Sequence, residues 1–246
     1  MREKLNHEKL EEKIAELLNS GFCCFMEKNY ATALELYSEV IGYQISRFGI
    51  KHEDVATSYS QIGHCNYMLK QYELAIENHT KSLDIRKGYD YLHEGTANSY
   101  WIIAHCFCML NQYSQAITNY KAQLEYLIKI FGEKHLKVAD SLLNIAECYS
   151  FDSKYEIAKP FYQDALKIKI EQLGSRHEDV ATCYHELGMN LYWDSKYEHA
   201  VESLSRAYEF RKELLGEEGD DTKLTYEYLG KARFEVQFAL STQEGY

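Results

Sequence analysis

The chain has 246 residues, of which 46% are hydrophobic and one is a proline, and its formal net charge is −11. That charge argues against a protein that binds nucleic acid through clustered lysine and arginine. No apolar run approaches the roughly 20 residues that cross a bilayer, and the opening segment MREKLNHEKLEEK lacks the apolar centre of a signal peptide. We therefore expect a cytoplasmic protein that does not insert into membranes.

A tyrosine followed three residues later by an alanine marks five successive repeats. The pairs recur every 41 or 42 residues and are Tyr30/Ala33, Tyr72/Ala75, Tyr113/Ala116, Tyr155/Ala158 and Tyr197/Ala200. A period of this size is typical of arrays in which each repeat buries its apolar face only against its neighbours. We predict one domain over residues 1–246, with repeats at about 10–50, 51–91, 92–133, 134–175 and 176–217 and a closing helix at about 220–240.

Within each repeat, apolar residues recur every three or four positions, which indicates two helices joined by a short turn and an all-α protein. A small residue precedes each marker alanine by twelve positions, where it would let two helices approach closely: Gly21, Gly63, Ala104, Ala146 and Gly188. Glycines that tolerate positive φ are expected to end the repeats at Gly49, Gly132, Gly174 and Gly216. Histidines recur in step with the tyrosines, at His52, His93, His135 and His177.

The seven cysteines show no disulfide framework, because their number is odd and no secretion signal is seen. Four of them hold one repeat position, Cys23, Cys65, Cys106 and Cys148. Equivalent atoms of stacked repeats lie roughly 10 Å apart, too far to share one metal ion. We interpret these cysteines as small apolar filler and predict neither a metal nor a cofactor.

The small residue, tyrosine and alanine at these spacings resemble the tetratricopeptide repeat, and the resemblance covers about residues 10–240. Segments that open two repeats, residues 52–57 (HEDVAT) and 177–182 (HEDVAT), resemble more closely the kinesin-light-chain type, as does Ala158-Lys159-Pro160-Phe161-Tyr162. The resemblance implies a right-handed α-α superhelical solenoid of about five helix pairs with a C-terminal capping helix. It also implies that the first helix of each pair lines a concave wall that binds peptides.

The first helices carry a second apolar face that a merely solvated helix would not have. It holds Leu18, Phe22, Phe25 and Met26, then Tyr67 and Met68, then Trp101, Ile102 and Met109, then Met189, Tyr192 and Trp193, with His64, His105 and His185 beside them. Phe22 and Phe25 could instead pack under the amino-terminal segment, and both tryptophans could belong to the core between repeats. The three histidines could sense pH but are more typical of polar lining.

We predict a peptide-binding groove from these positions. Its residues are His64, Tyr67, Trp101, His105, Asn144, Glu147, His185, Glu186, Met189, Tyr192 and Trp193. The wall positions include three acids, Asp140, Glu147 and Glu186, and no lysine or arginine. This balance favours a neutral-to-basic segment with apolar anchors over a carboxylate-terminated one. Glu147 and Glu186 would hold its charge.

No catalytic motif breaks the repeat pattern, since the chain has no glycine-rich phosphate loop, HExxH, GxSxG or CxxC. We therefore predict a non-catalytic adaptor that binds another protein or a peptide. One alternative is a peptide-sensing signalling regulator, for which residues 1–13 are too few to form an effector domain. Another is a scaffold that forms a homo-oligomer through the C-terminal helix with Phe234, Val236, Phe238 and Leu240.

Overall fold

The computed structural model describes residues 2–89, 92 and 94–243. The chain divides into two compact units, Met1–Tyr126 and Leu127–Tyr246. All regular structure in the described residues is helical, which confirms the all-α prediction. None of the described helices is long and apolar enough to cross a membrane. The single domain over residues 1–246 stays a prediction.

The N-terminal unit is a series of helical hairpins. Its helices are α1 (Arg2–Met26), α2 (Tyr30–Phe48), α3 (Glu53–Met68), α4 (Tyr72–Arg86), α5 (Glu94–Met109) and the first part of α6 (Tyr113–Phe131). Each of α1 to α4 packs against the helix that follows it, and the first helices α3 and α5 also contact each other.

The C-terminal unit repeats this pattern and adds one unpaired helix. It contains α7 (Leu136–Phe151), α8 (Tyr155–Leu173), α9 (Glu178–Trp193), α10 (Tyr197–Leu215) and α11 (Asp220–Gln243). Each of α7 to α10 contacts the next helix, and α11 packs on α10 and also touches α9. Because Gly230 follows Gly188 by 42 residues, α11 corresponds to the first helix of a further repeat.

The recurrent histidines cap the first helices. The Nδ1 atoms of His52, His135 and His177 accept hydrogen bonds from the backbone N–H two residues further on, at 3.2, 3.2 and 3.1 Å. A side-chain acceptor at this position satisfies one of the N–H groups that a helix start leaves unpaired. The periodic histidines therefore have a structural role, although His93 lies outside the described residues.

The predicted glycine stops are confirmed. Gly49, Gly132, Gly174 and Gly216 have φ values of 86°, 82°, 83° and 80°, where a side chain would be strained. The turns inside the hairpins use positive φ as well, although no glycine occupies them: Lys28, Lys70, Asn111, Ser153 and Ser195 have φ between 56° and 62°. Helix α8 continues through Pro160.

The hairpins pack around the marker alanines, which are all fully buried. Opposite them, the small residues of the first helices meet side chains of the second helices. A Cβ atom on Gly188 would lie 2.6 Å from Cγ of Leu204, and one on Gly63 would lie 2.5 Å from Cδ2 of His79. The expected close approach of the paired helices is thus confirmed. Cys65, Cys106 and Cys148 are buried as filler, whereas Cys23 is exposed.

Candidate functional site

Each of the five first helices that a second helix follows ends in a large apolar residue that remains exposed. In the N-terminal unit these are Met26, Met68 and Met109, and in the C-terminal unit Phe151 and Trp193; their exposed fractions run from 41% to 66%. All five hold the same repeat position, four residues before the marker tyrosine. The sequence-based set omitted Phe151, although its 42-residue spacing from Trp193 was a sufficient signal. We call these five residues the apolar ladder.

Three predicted site residues of the N-terminal unit form one aromatic cluster. The hydroxyl of Tyr67 lies 3.3 Å from Nδ1 of His105, and the ring of Trp101 lies 5.3 Å from that of His105 and 6.3 Å from that of Tyr67. Trp101 is half-buried against the core residues around Ile102. It therefore packs between α3 and α5. Ile102 is fully buried, so its assignment to the exposed face was wrong.

His64, the fourth predicted residue of that unit, packs among other rings. Its ring lies 6.1 Å from Phe25 and 5.7 Å from the buried His79. Phe25 thus packs against rings of α2 and α3, whereas Phe22 is 57% exposed. Burial lowers the pKa of both His64 and His105, which argues against protonation near pH 6.5 as a switch.

In the C-terminal unit, five predicted residues line one cavity of about 490 Å³ between α7 and α9. They are Glu147, His185, Glu186, Met189 and Trp193. Sequence reasoning missed Tyr155 and Tyr162, which α8 contributes to the same lining. These two tyrosines occupy positions that look like hairpin core, and nothing in the local pattern separates core from cavity lining. We call this space the α7–α9 cavity.

The remaining predicted residues of this unit have other surroundings. Tyr192 packs against Tyr197 and Tyr228, at 5.6 and 6.3 Å between ring centroids. Asn144 is half-buried on α7 and is not part of the cavity lining. His185 is only 9% exposed, and its Nδ1 lies 3.2 Å from the hydroxyl of Thr225 on α11. Burial lowers the pKa of His185 to about 4, so the ring is neutral at pH 7.

The two carboxyl groups of the cavity are held in surroundings that disfavour their ionised forms. Burial, reinforced by the nearby Glu147 carboxylate, raises the pKa of Glu186 to about 7, while Lys169 and Arg211 oppose this rise. Burial also raises the pKa of Glu147. Oε2 of Glu186 is inaccessible to solvent and has no hydrogen-bond partner among the described residues. The cavity therefore contains unsatisfied acceptor capacity.

Lys169 of the second helix α8 pairs with acids of two first helices. This pairing was not predicted from the sequence, because only the charges on the first helices were counted. Nζ of Lys169 lies 2.8 Å from Oδ1 of Asp140 and 3.6 Å from Oδ2 of Asp179. Asp140, one of the three predicted wall acids, is thus paired within the protein. The other two wall acids, Glu147 and Glu186, line the cavity, whose lining within residues 2–89, 92 and 94–243 includes no lysine or arginine.

Comparisons with known proteins agree on the type of repeat. The sequence profile of the tetratricopeptide repeat matches residues 13–88, 95–171 and 154–213. No curated protein sequence matches the chain.

Several solved structures are similar. Nearly identical TPR-like repeats from Podosopora anserina, assigned as a kinesin light chain, align with a TM-score of 0.71 and 16% identity, over 82% of this chain and 96% of that one. BtubC (BKLC) from P. vanneervenii aligns with a TM-score of 0.67 and 19% identity, over 93% of this chain and 84% of BtubC. YrrB, described as a TPR protein with an unusual peptide-binding site, aligns with a TM-score of 0.57 and 16% identity, over 79% of this chain and 84% of YrrB. At these identities the likeness concerns the fold.

Proposed function

Because the chain belongs to the tetratricopeptide repeat family, whose fold is typical of protein–protein interaction modules, we propose that it is a non-catalytic adaptor. Its ligand is a peptide segment of another protein, neutral to basic in charge and carrying apolar anchors. Within a unit, the segment lies along the exposed ends of the first helices. A reducing, cytoplasmic setting is part of the proposal, since the seven cysteines, all of them among the described residues, form no disulfide.

The apolar ladder is the observation that carries this proposal. A surface helix normally turns polar residues to solvent, yet Phe151 and Trp193 end successive first helices with 66% and 54% of their surface exposed. Periodic exposure of this kind provides regularly spaced contacts for the side chains of a bound segment. Tryptophan dominates interface energetics, and methionine, which forms the ladder in the N-terminal unit, adapts to varied shapes.

The charge of the wall supports a neutral-to-basic ligand. Glu147 and Glu186 line the cavity that adjoins Phe151 and Trp193. A carboxylate-rich segment would have to bring its own charges against them without a compensating cation, which is unfavourable. The description of YrrB as a peptide-binding protein of the same fold is consistent with this use of the scaffold.

Selection from a random display library of short peptides tests the proposal. We expect the enriched peptides to be neutral or basic and to carry aromatic or aliphatic anchors. Replacing Trp193 with alanine should weaken their binding about tenfold, because a large contact is removed without opening the core. Fluorescence polarisation with labelled peptides measures this change.

Ile157→Ala provides the matched control for that experiment. Ile157 is 48% exposed, close to the 54% of Trp193, but lies on the second helix α8. Its replacement should leave peptide affinity unchanged. Absence of enriched peptides, or equal effects of the two substitutions, would reject the peptide-binding wall.

Self-association is the second candidate function, and the surface of α11 favours it. Tyr226, Phe234 and Phe238 lie on one ridge with exposed fractions of 58%, 65% and 58%. A Cβ atom added at the intervening Gly230 would meet no atom of the described residues within 4 Å, so a second helix has room to approach there. Two copies packed antiparallel about Gly230 would place Glu227 of one opposite Arg233 of the other.

Sedimentation velocity over a concentration range tests this second candidate. We expect a dimer that Phe234→Glu abolishes, because a carboxylate would be buried in the apolar contact. Leu224→Glu, which changes a side chain that is 43% exposed on the same helix, should preserve the dimer. A monomer at all concentrations would exclude this candidate.

A further inference from the structure

We propose that the α7–α9 cavity is a subsite for a single organic cation, the ammonium or guanidinium group of a basic side chain, held by Glu147 and Glu186 beneath Trp193. The inference rests on the proposed function, because the cation belongs to the bound peptide segment. It adds the place at which the charge of that segment is recognised.

The composition of the cavity matches a small alkyl cation. The volume of about 490 Å³ lies within the ordinary range of small-ligand sites. Carboxylates of Glu147 and Glu186 come from adjacent first helices, and the rings of Tyr155, Tyr162 and Trp193 contribute to the same lining. Aromatic walls accept the alkyl stem of a basic side chain and attract its charged end through their faces.

The protein does not supply this cation from its nearest basic side chains. Lys169 is engaged by Asp140 and Asp179. Arg211 donates to the hydroxyls of Thr225 and Thr182, at 2.7 and 3.3 Å, and to the carbonyl of Asp221 at 3.1 Å. Neither cation lines the cavity.

Glu186 is left with an acceptor that a ligand can satisfy. Its Oε2 atom is buried and has no hydrogen-bond partner in the part of the chain that the structure describes. Because this atom has no solvent-accessible surface, a ligand donor reaches it when the carboxyl group turns toward the cavity, and the acceptor is then stabilised. An ammonium or guanidinium group provides such donors together with the charge that opposes the carboxylate.

Binding of a cation should release a proton. With its pKa at about 7, Glu186 is about half protonated at neutral pH and must ionise to form the ion pair. The proton passes to solvent, and the carboxylate then faces the ligand's N–H groups. The charged or titratable groups around Glu186 are Glu147 on α7, Tyr162 and Lys169 on α8, Cys183 on α9 and Arg211 on α10. His185, from α9 itself, stays neutral in this range.

Titration with free amines tests the subsite separately from peptide binding. In a Trp101→Phe background, Trp193 is the remaining tryptophan, and its fluorescence reports on the cavity. We expect n-butylammonium or n-butylguanidinium to bind saturably at pH 8, whereas the neutral n-butanol does not. Which cation binds more tightly distinguishes a lysine-like from an arginine-like ligand. Affinity should fall about fivefold to tenfold at pH 6, because the ionised fraction of Glu186 falls by about that factor.

Glu186→Gln removes the charge while keeping the shape of the side chain. This variant should bind the amine about tenfold more weakly and lose the dependence on pH between 6 and 8. Glu202→Gln, an exposed site on α10 paired with Arg206, is the matched control and should behave as the unmodified chain does. Thermal unfolding of each variant verifies that it is folded.

The outcomes separate the two proposals. Equal binding of butanol and butylammonium, or unchanged amine affinity in Glu186→Gln, overturns the cation subsite. If peptides are then still selected in a Trp193-dependent way without a preference for basic residues, the proposed function stands and the subsite alone fails. If amines bind with the expected pH dependence but no peptide is selected, the cavity is a cation site, whereas the peptide-binding function and the assignment of the cation to a peptide both fail.

Discussion

Replacing Gly188 with alanine is expected to lower the free energy of unfolding by about 1–3 kcal/mol, the usual cost of overpacking a tight interface. The new Cβ would lie 2.6 Å from Cγ and 3.2 Å from the backbone nitrogen of Leu204. Because a backbone atom is involved, rotation of one side chain cannot relieve the clash, and α9 and α10 must move apart. Chemical denaturation followed by far-ultraviolet circular dichroism measures the loss.

Gly230→Ala is the matched control, since Gly230 holds the same repeat position on α11. Within the part of the chain that the structure describes, a Cβ atom there would have no neighbouring atom closer than 4 Å. Alanine should therefore raise the free energy of unfolding by about 0.5–1 kcal/mol through its better helix propensity. Effects of the same sign at both glycines would contradict the close approach of α9 and α10.

Replacing Arg211 with alanine is expected to lower the free energy of unfolding by about 2–4 kcal/mol, because a buried, hydrogen-bonded charge connects three helices. Arg211 is 4% exposed and extends from α10 to Thr182 on α9 and to Thr225 and Asp221 on α11. Its loss should loosen α11 first. Relative to the unmodified chain, the variant should show a larger increase in hydrogen exchange in α11 than in α9, measured by mass spectrometry.

Arg206→Ala is the corresponding control on the same helix. The side chain of Arg206 is 51% exposed and pairs with Glu202 on the surface. Exposed pairs contribute little, so we expect a change below about 0.5 kcal/mol. Leu229 and Ala232 are buried on α11. Unchanged protection of α11 in Arg211→Ala would show that the burial of these apolar side chains suffices to hold the helix.

The hairpin repeat could be predicted because every repeat satisfies the same local requirements. The pair Tyr155 and Ala158 indicates the start of a second helix, and Gly174 ends that helix, independently of the sequence of the neighbouring repeat. The helix boundaries therefore follow from short-range patterns. The recurrence of His52 and His177 was visible in the sequence as well. Its cause is that each histidine caps the following helix, which only the positions of the Nδ1 atoms in the structure show.

Exposure of the candidate site residues could not be predicted in the same way. Trp101 and Trp193 both lie on first helices, yet Trp101 is half-buried beside Tyr67 and His105 whereas Trp193 is exposed. Similarly, His185 is buried because Thr225 and Tyr228 of α11 pack against it. The exposure of each residue depends on which side chain of the adjacent first helix packs against it. The repeat period does not predict the identity of that side chain.

By itself, the sequence determined the helical hairpins, their length and the recurrence of an apolar position at the end of each first helix, because spacing along one chain dictates which residues share a helix face. Only the tertiary structure decided that Glu147 and Glu186 share a cavity, that Tyr155 and Tyr162 complete it from the second helix, and that Lys169 neutralises Asp140. The physical reason is that burial and charge pairing depend on the distances between helices. The volumes of the side chains at each contact set those distances, and the spacing of residues along the chain does not encode them.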